Sequence, residues 1–108
     1  IEHFNYVGVI AIEFFVVANE LLANEIAPRV HNSGHWSIEA STTSQFENHL
    51  RAVANMPLGD TNTSPVTMTN IISTFPSNTA LPSNAVIHYY HKSERPNRKL
   101  GHITQFIK

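Results

Sequence analysis

Glu13 and Glu25 are the two residues of this chain whose type and spacing could do chemistry together. The apolar stretch Val7 to Val17 and the shorter run Leu21 to Ile26 read as one antiparallel hairpin. With Ala18, Asn19 and Glu20 as its loop, Val17 faces Leu21, Phe15 faces Ala23 and Glu13 faces Glu25. Directly opposed residues have Cβ atoms about 4.5–5.5 Å apart, and like charges there destabilise a sheet. A positive group should therefore sit between the carboxylates. A hard divalent cation with oxygen ligands, such as magnesium carrying a polyphosphate, meets that need. A loop of two or four residues would break the pairing, because a one-residue slip turns every side chain of one strand to the other face. The pair would then be part of a solvated face.

Around and past Glu25 the chain runs Asn24-Glu-Ile-Ala-Pro-Arg-Val-His-Asn-Ser-Gly-His-Trp36, with Pro28 and Gly34 as breakers among hydrogen-bond donors. A donor-rich loop leaving a strand that ends in an acidic ligand suits an anion beside a metal. A second cluster, Lys92, Arg95, Arg98 and Lys99, lies near the turn residues Pro96 and Gly101. Arginine forks and lysine ammonium groups there could hold a phosphate ester, although charged turns are commonly just solvated. Seven histidines include His31 and His35 four apart and His88 and His91 three apart. Zinc needs three or four converging ligands, and on a strand His88 and His91 point to opposite faces, so spacing argues against it. His3 and His102 have no partner legible in the sequence, and His49 falls on a helix.

Glu13-Phe-Phe, Asn24-Glu25 through Trp36, Thr43-Ser-Gln-Phe-Glu-Asn-His-Leu-Arg-Ala-Val53 and Lys92-Ser-Glu-Arg-Pro-Asn-Arg-Lys-Leu-Gly-His102 occur in one order along most of the chain. Together they closely resemble the ATP-grasp enzyme of purine biosynthesis, 5-(carboxyamino)imidazole ribonucleotide synthase, the ATPase subunit of phosphoribosylaminoimidazole carboxylase. The resemblance implies an ATP-dependent ligase that phosphorylates bicarbonate and carboxylates 5-aminoimidazole ribonucleotide. It implies Glu13 and Glu25 as ligands for magnesium, or manganese in its place, with Asn24 and Glu25 beside ATP. Arg29, His31 and Asn32 would orient bicarbonate or stabilise carboxyphosphate, with Ser33 as a further candidate, and Lys92, Arg98 and Lys99 would take the ribonucleotide phosphate. Asn24 projects away from Glu25 in an ideal strand, so its role requires a twist or bulge. Many ATP-grasp members carry an Asn ligand two residues after the second acidic one, where this chain has Ala27. The family's setting is cytoplasmic and homodimeric.

The match falls in the family's C-terminal part, and 108 residues make one small domain or a piece of something larger. The expectation is a fragment, inactive alone, and the opening Ile-Glu-His-Phe without an initiator Met agrees with it. The rival expectation is a non-catalytic binding or assembly module that pairs with another chain through exposed strand edges.

The expected fold is α+β: the C-terminal part of an ATP-grasp fold, an antiparallel hairpin with a covering helix, then a small β-rich subdomain. Strands are expected over about Tyr6 to Val17 and Leu21 to Ile26, then a polar loop to Trp36 and a helix ending near Asn55. Phe46, Leu50 and Val53 recur at helical spacing, Ser41, Thr42, Thr43 or Ser44 can cap the helix, and Pro57 stops it. The ATP-grasp portion is taken as residues 1–56, the connection as 57–65 and the C-terminal domain as 66–108, with strands Val66 to Ser73, Ala85 to Tyr90 and Leu100 to Ile107 around a loop from Phe75 to Asn84. Trp36 and Phe14 are expected in the core.

Hydrophobic residues make up 42% and charged ones 14%, the balance of an ordinary globular protein rather than a disordered one. Before His91 seven acidic residues outnumber two basic ones, whereas Lys92 to Lys108 holds five basic residues against Glu94. No aromatic ladder interleaves with that basic segment, which argues against a nucleic-acid partner. The chain has no cysteine and no run near the roughly 20 apolar residues that span a bilayer.

Overall fold

The computed structural model describes residues 2–77 and 81–107, and the chain divides into two compact units, Ile1–Asn62 and Thr63–Lys108. Residues 78–80, inside the expected loop, and Lys108 in the basic tail lie outside the described residues. In the first unit, β1 (Ala11–Val17) and β2 (Glu20–Ala27) pair antiparallel, followed by a 3-10 turn at Asn32–Gly34, α1 (Ser37–Ala40) and α2 (Gln45–Val53). The second unit is an antiparallel sheet of β3 (Val66–Ile72), β4 (Ala85–Tyr89) and β5 (Lys99–Phe106) in the order β3-β5-β4.

The hairpin turns through two residues, not three. Ala18 and Asn19 both have positive φ, 49° and 65°, and Val17 pairs with Glu20. Two consecutive left-handed residues match the twist of the flanking strands. The register then runs Val16 with Leu21, Phe15 with Leu22 and Phe14 with Ala23, before shifting so that Glu13 pairs with Glu25. The shift is a bulge at Asn24, and the extra residue in β2 compensates for the residue absent from the turn.

β1 starts at Ala11, later than the expected Tyr6, because the preceding stretch is committed elsewhere. The Tyr6 hydroxyl lies 3.0 Å from the Val9 carbonyl and 2.9 Å from that of Pro28, and the Val9 N–H donates to His49 Nδ1 at 3.1 Å. Gly8 has φ 133°, and a Cβ there would meet the His49 ring at 2.7 Å, so only glycine fits.

α1 precedes the expected helix and is separated from it by Ser41, which is extended. α2 is the expected helix, with Ser44 as N-cap, its side chain accepting from the Glu47 N–H at 3.2 Å. α2 leaves the hairpin largely uncovered: every residue from Ile12 to Ile26 is exposed, with Val16 at 73%, and Phe14 is exposed rather than in the core. Leu50 and Val53, on the apolar face of α2, are exposed too, while Phe46 and Trp36 are half-buried. Among the described residues no third strand pairs with this ribbon, and an isolated two-stranded ribbon is marginal in water.

β5 is the centre of the second unit, with Leu100 and Thr104 fully buried and His102 nearly so. Among the described residues no helix is long and apolar enough to cross a membrane.

Candidate functional site

The bulge places two consecutive residues of β2, Asn24 and Glu25, against Glu13. Asn24 Nδ2 donates a short hydrogen bond to Glu13 Oε1. In a regular strand continuing the two-residue turn, Glu13 would face Asn24, and Glu25 would sit beside Ile12 on the other face. The irregularity is therefore what gathers Glu13, Asn24 and Glu25.

His31 closes this group. It is 8% exposed, with Nε2 2.9 Å from Glu25 Oε1 and Nδ1 2.8 Å from Ser33 Oγ. The Ser33 N–H also points at Nδ1, at 3.4 Å, which makes Nδ1 the acceptor and leaves the Nε2–H to donate to Glu25. One donor atom each from Glu13, Glu25 and His31 lie within 4.8 Å of one another. The two carboxylates at that separation can hold a hard divalent cation, which the imidazole would join only by giving up its Nε2–H.

The remaining expected site residues divide. Asn32 opens the 3-10 turn beside His31, and its carbonyl accepts from the His35 N–H at 3.1 Å. Arg29 is exposed and directs Nη1 to the Val30 carbonyl at 2.9 Å, so its guanidinium is engaged with the backbone of its own loop. Lys92, Arg98 and Lys99 belong to the second unit. Lys92 Nζ lies 5.3 Å from the centroid of the Tyr90 ring, and Arg98 Nη1 donates to Ser93 Oγ at 3.2 Å. Lys99 is exposed at the start of β5.

The turn carrying these cations is pinned to the end of β3. The Ser73 N–H donates to the Arg98 carbonyl at 2.9 Å, the Asn97 N–H to Ser73 Oγ at 2.9 Å, and the Phe75 N–H to Glu94 Oε1 at 2.7 Å. A turn fixed by three such bonds offers its cations from a rigid base, so less loop ordering would be required on binding an anion.

His102, without a legible partner in the sequence, meets Tyr90 and His88. Its Nδ1 is 2.7 Å from the Tyr90 hydroxyl, and its ring stacks on His88 with centroids 4.8 Å apart. The signal is the β4–β5 register, which sets His88 opposite His102 and needs the strand pairing to be known.

Residues 1–46 match the ATP-grasp domain family, and residues 66–107 match the phosphoribosylaminoimidazole carboxylase C-terminal domain family. The N5-carboxyaminoimidazole ribonucleotide synthase of Vibrio vulnificus strain YJ016 is 52% identical over 105 residues, covering 94% of this chain and 28% of that protein. The crystal structure of N5-carboxyaminoimidazole ribonucleotide synthetase from Thermus thermophilus superposes with a TM-score of 0.84 at 52% identity, over 98% of this chain and 30% of that one. The Aspergillus clavatus synthase, in complex with ADP and 5-aminoimidazole ribonucleotide, gives 0.77 at 38% identity, over 93% of this chain and 30% of that one. The match over residues 1–46 gives the class: the chain belongs to the ATP-grasp superfamily. Within that class it belongs to the N5-carboxyaminoimidazole ribonucleotide synthase family and matches its C-terminal part. It spans about 28% of the length of the first of these relatives.

Proposed function

We propose that this chain works as the C-terminal portion of an ATP-dependent carboxylating ligase of purine biosynthesis. The observation that supports this most is Glu13 set opposite Glu25 by the β2 bulge, with His31 Nε2–H on Glu25 at 2.9 Å. In the proposed reaction the terminal phosphoryl group of ATP passes to a bicarbonate oxygen, giving carboxyphosphate and ADP. The exocyclic amine of 5-aminoimidazole ribonucleotide then attacks the carboxyl carbon, phosphate leaves, and the nitrogen gives up a proton.

Glu13 and Glu25 would hold magnesium or manganese, since both offer hard oxygen donors within one cluster. When bound, such an ion neutralises phosphate charge as it redistributes during transfer. Asn24, held on Glu13, would border the nucleotide. Arg29, His31 and Asn32 would supply donors to bicarbonate and carboxyphosphate, with Ser33 fixing the His31 ring. Lys92, Arg98 and Lys99 would take the ribonucleotide phosphate. The proposed enzyme is cytoplasmic and homodimeric, properties that follow from the resemblance alone.

The test is ADP release by the full-length polypeptide carrying these residues. It should require 5-aminoimidazole ribonucleotide and bicarbonate together, and Lys92→Ala should raise KM for the ribonucleotide more than it lowers kcat. ADP release indifferent to both substrates would sink the proposal. Capture of a partner chain with no ADP release at all would favour the assembly module.

A further inference from the structure

His31 is held by its backbone as well as by its ring, and one side chain does the holding. Gln45, the first residue of α2, accepts the His31 N–H on Oε1 at 3.0 Å and donates from Nε2 to the His31 carbonyl at 2.8 Å. The side-chain amide thus pairs with both backbone polar groups of one residue, as a neighbouring strand would. Nε2 is also 2.8 Å from His35 Nδ1 on the far side of the 3-10 turn. Gln45 itself is seated: its N–H donates to Ser37 Oγ at 3.0 Å, and Ser37 Oγ–H donates to the Gly34 carbonyl at 2.6 Å.

The space is shaped for this contact. A Cβ on Gly34 would lie 2.8 Å from Gln45 Oε1 and 3.0 Å from Cδ, so a side chain there would push the amide off His31. Nothing in the sequence marks Gln45 for this part. It follows the N-cap Ser44, where a polar residue is common.

We propose that Gln45 is a positioning residue for the carboxylating reaction, acting through His31. By fixing both the N–H and the C=O of His31, it sets where the imidazole meets Glu25 and hence the edge of the acidic cluster. This rests on the reading that His31 works at the reacting centre. Displacing such a group by about 1 Å can cost on the order of a hundredfold in rate.

The test uses the full-length ligase with Gln45→Met, which keeps the side-chain length but loses both hydrogen bonds, together with His31→Ala and the double variant. Gln45→Met is expected to lower kcat by about tenfold or more while KM for ATP moves less than about twofold. In the His31→Ala background the same change should add less than about twofold, because the group it positions is gone. In the metal-free protein labelled with 15N-histidine, the His31 Nε2–H signal protected by Glu25 should be present in the parent and lost in Gln45→Met.

Gly34→Ala, which crowds the amide without removing it, should give the same signature in milder form and serves if Gln45→Met does not fold. Full kcat in Gln45→Met or in Gly34→Ala, with His31→Ala impaired, overturns the role of Gln45 and leaves that of His31 standing. Full additivity in the double variant also overturns it. Full kcat in His31→Ala overturns the underlying reading instead.

Discussion

At the scale of single residues, the acidic pair is the sharpest point of test. Glu25 is half-exposed, bonded to His31, and opposite Glu13. Glu25→Gln keeps the shape and a hydrogen-bond acceptor but removes the charge that a divalent ion needs. In the proposed full-length ligase it should reduce metal-dependent turnover by more than the roughly 10- to 100-fold that follows loss of a partner one shell further out. Stability should change by less than about 1 kcal/mol, since Glu25 is half-exposed and the new amide oxygen still accepts the His31 Nε2–H. Parallel assays of ADP release and thermal unfolding would show it, and unchanged turnover would remove Glu25 from the proposed metal site. Glu13, Asn24, Glu25 and His31 were all legible by type, whereas Gln45 was not. Its part depends on a contact across 14 positions of sequence between an ordinary helix-start residue and the backbone of a loop.

At the scale of the element, the hairpin carries two irregularities that cancel. The pairing of Glu13 with Glu25 is the one expected from a three-residue loop, yet the loop has two residues and the bulge at Asn24 supplies the difference. Turn composition would have favoured Asn-Gly for two left-handed residues, and the chain has Ala18-Asn19 instead. Alanine at φ 49° is strained, so Ala18→Gly should stabilise the hairpin by about 0.5–1 kcal/mol, seen as a higher urea midpoint. An unchanged or lower midpoint would mean that the turn adopts another form. The start of β1 was not legible either. Tyr6, Val9 and Ile10 have strand-like character, but Gly8 and the bond from Val9 to His49 draw that stretch away from the ladder.

At the scale of the whole molecule, the hairpin is the telling feature, because both its faces carry large exposed apolar side chains. Ile12, Phe14, Phe15, Val16, Val17, Leu21, Leu22 and Ile26 are each about half exposed or more. Apolar surface of this extent is unusual on a self-sufficient domain. The chain spans about 28% of the length of its Vibrio vulnificus relative, and the exposed hairpin would leave the proposed phosphoryl-transfer site open to water. The purified 108-residue chain should accordingly show no ADP release above the buffer rate with ATP, magnesium, bicarbonate and 5-aminoimidazole ribonucleotide. Steady release by the chain alone would overturn this.

What the sequence determined by itself was local and chemical. Residue types in a fixed order carried the family, Glu13 and Glu25 carried the acidic pair, Ser44 was among the caps it offered for α2, and the alternating β-rich runs carried the second sheet. The tertiary structure alone decided the bulge, the clamp of Gln45 on His31, the stacking of His102 on His88 and the exposure of the hairpin. The physical reason is the same in each case. Propensity and spacing act between near neighbours, whereas register, hydrogen-bond partners and burial are set by chain segments that meet only once the molecule has folded.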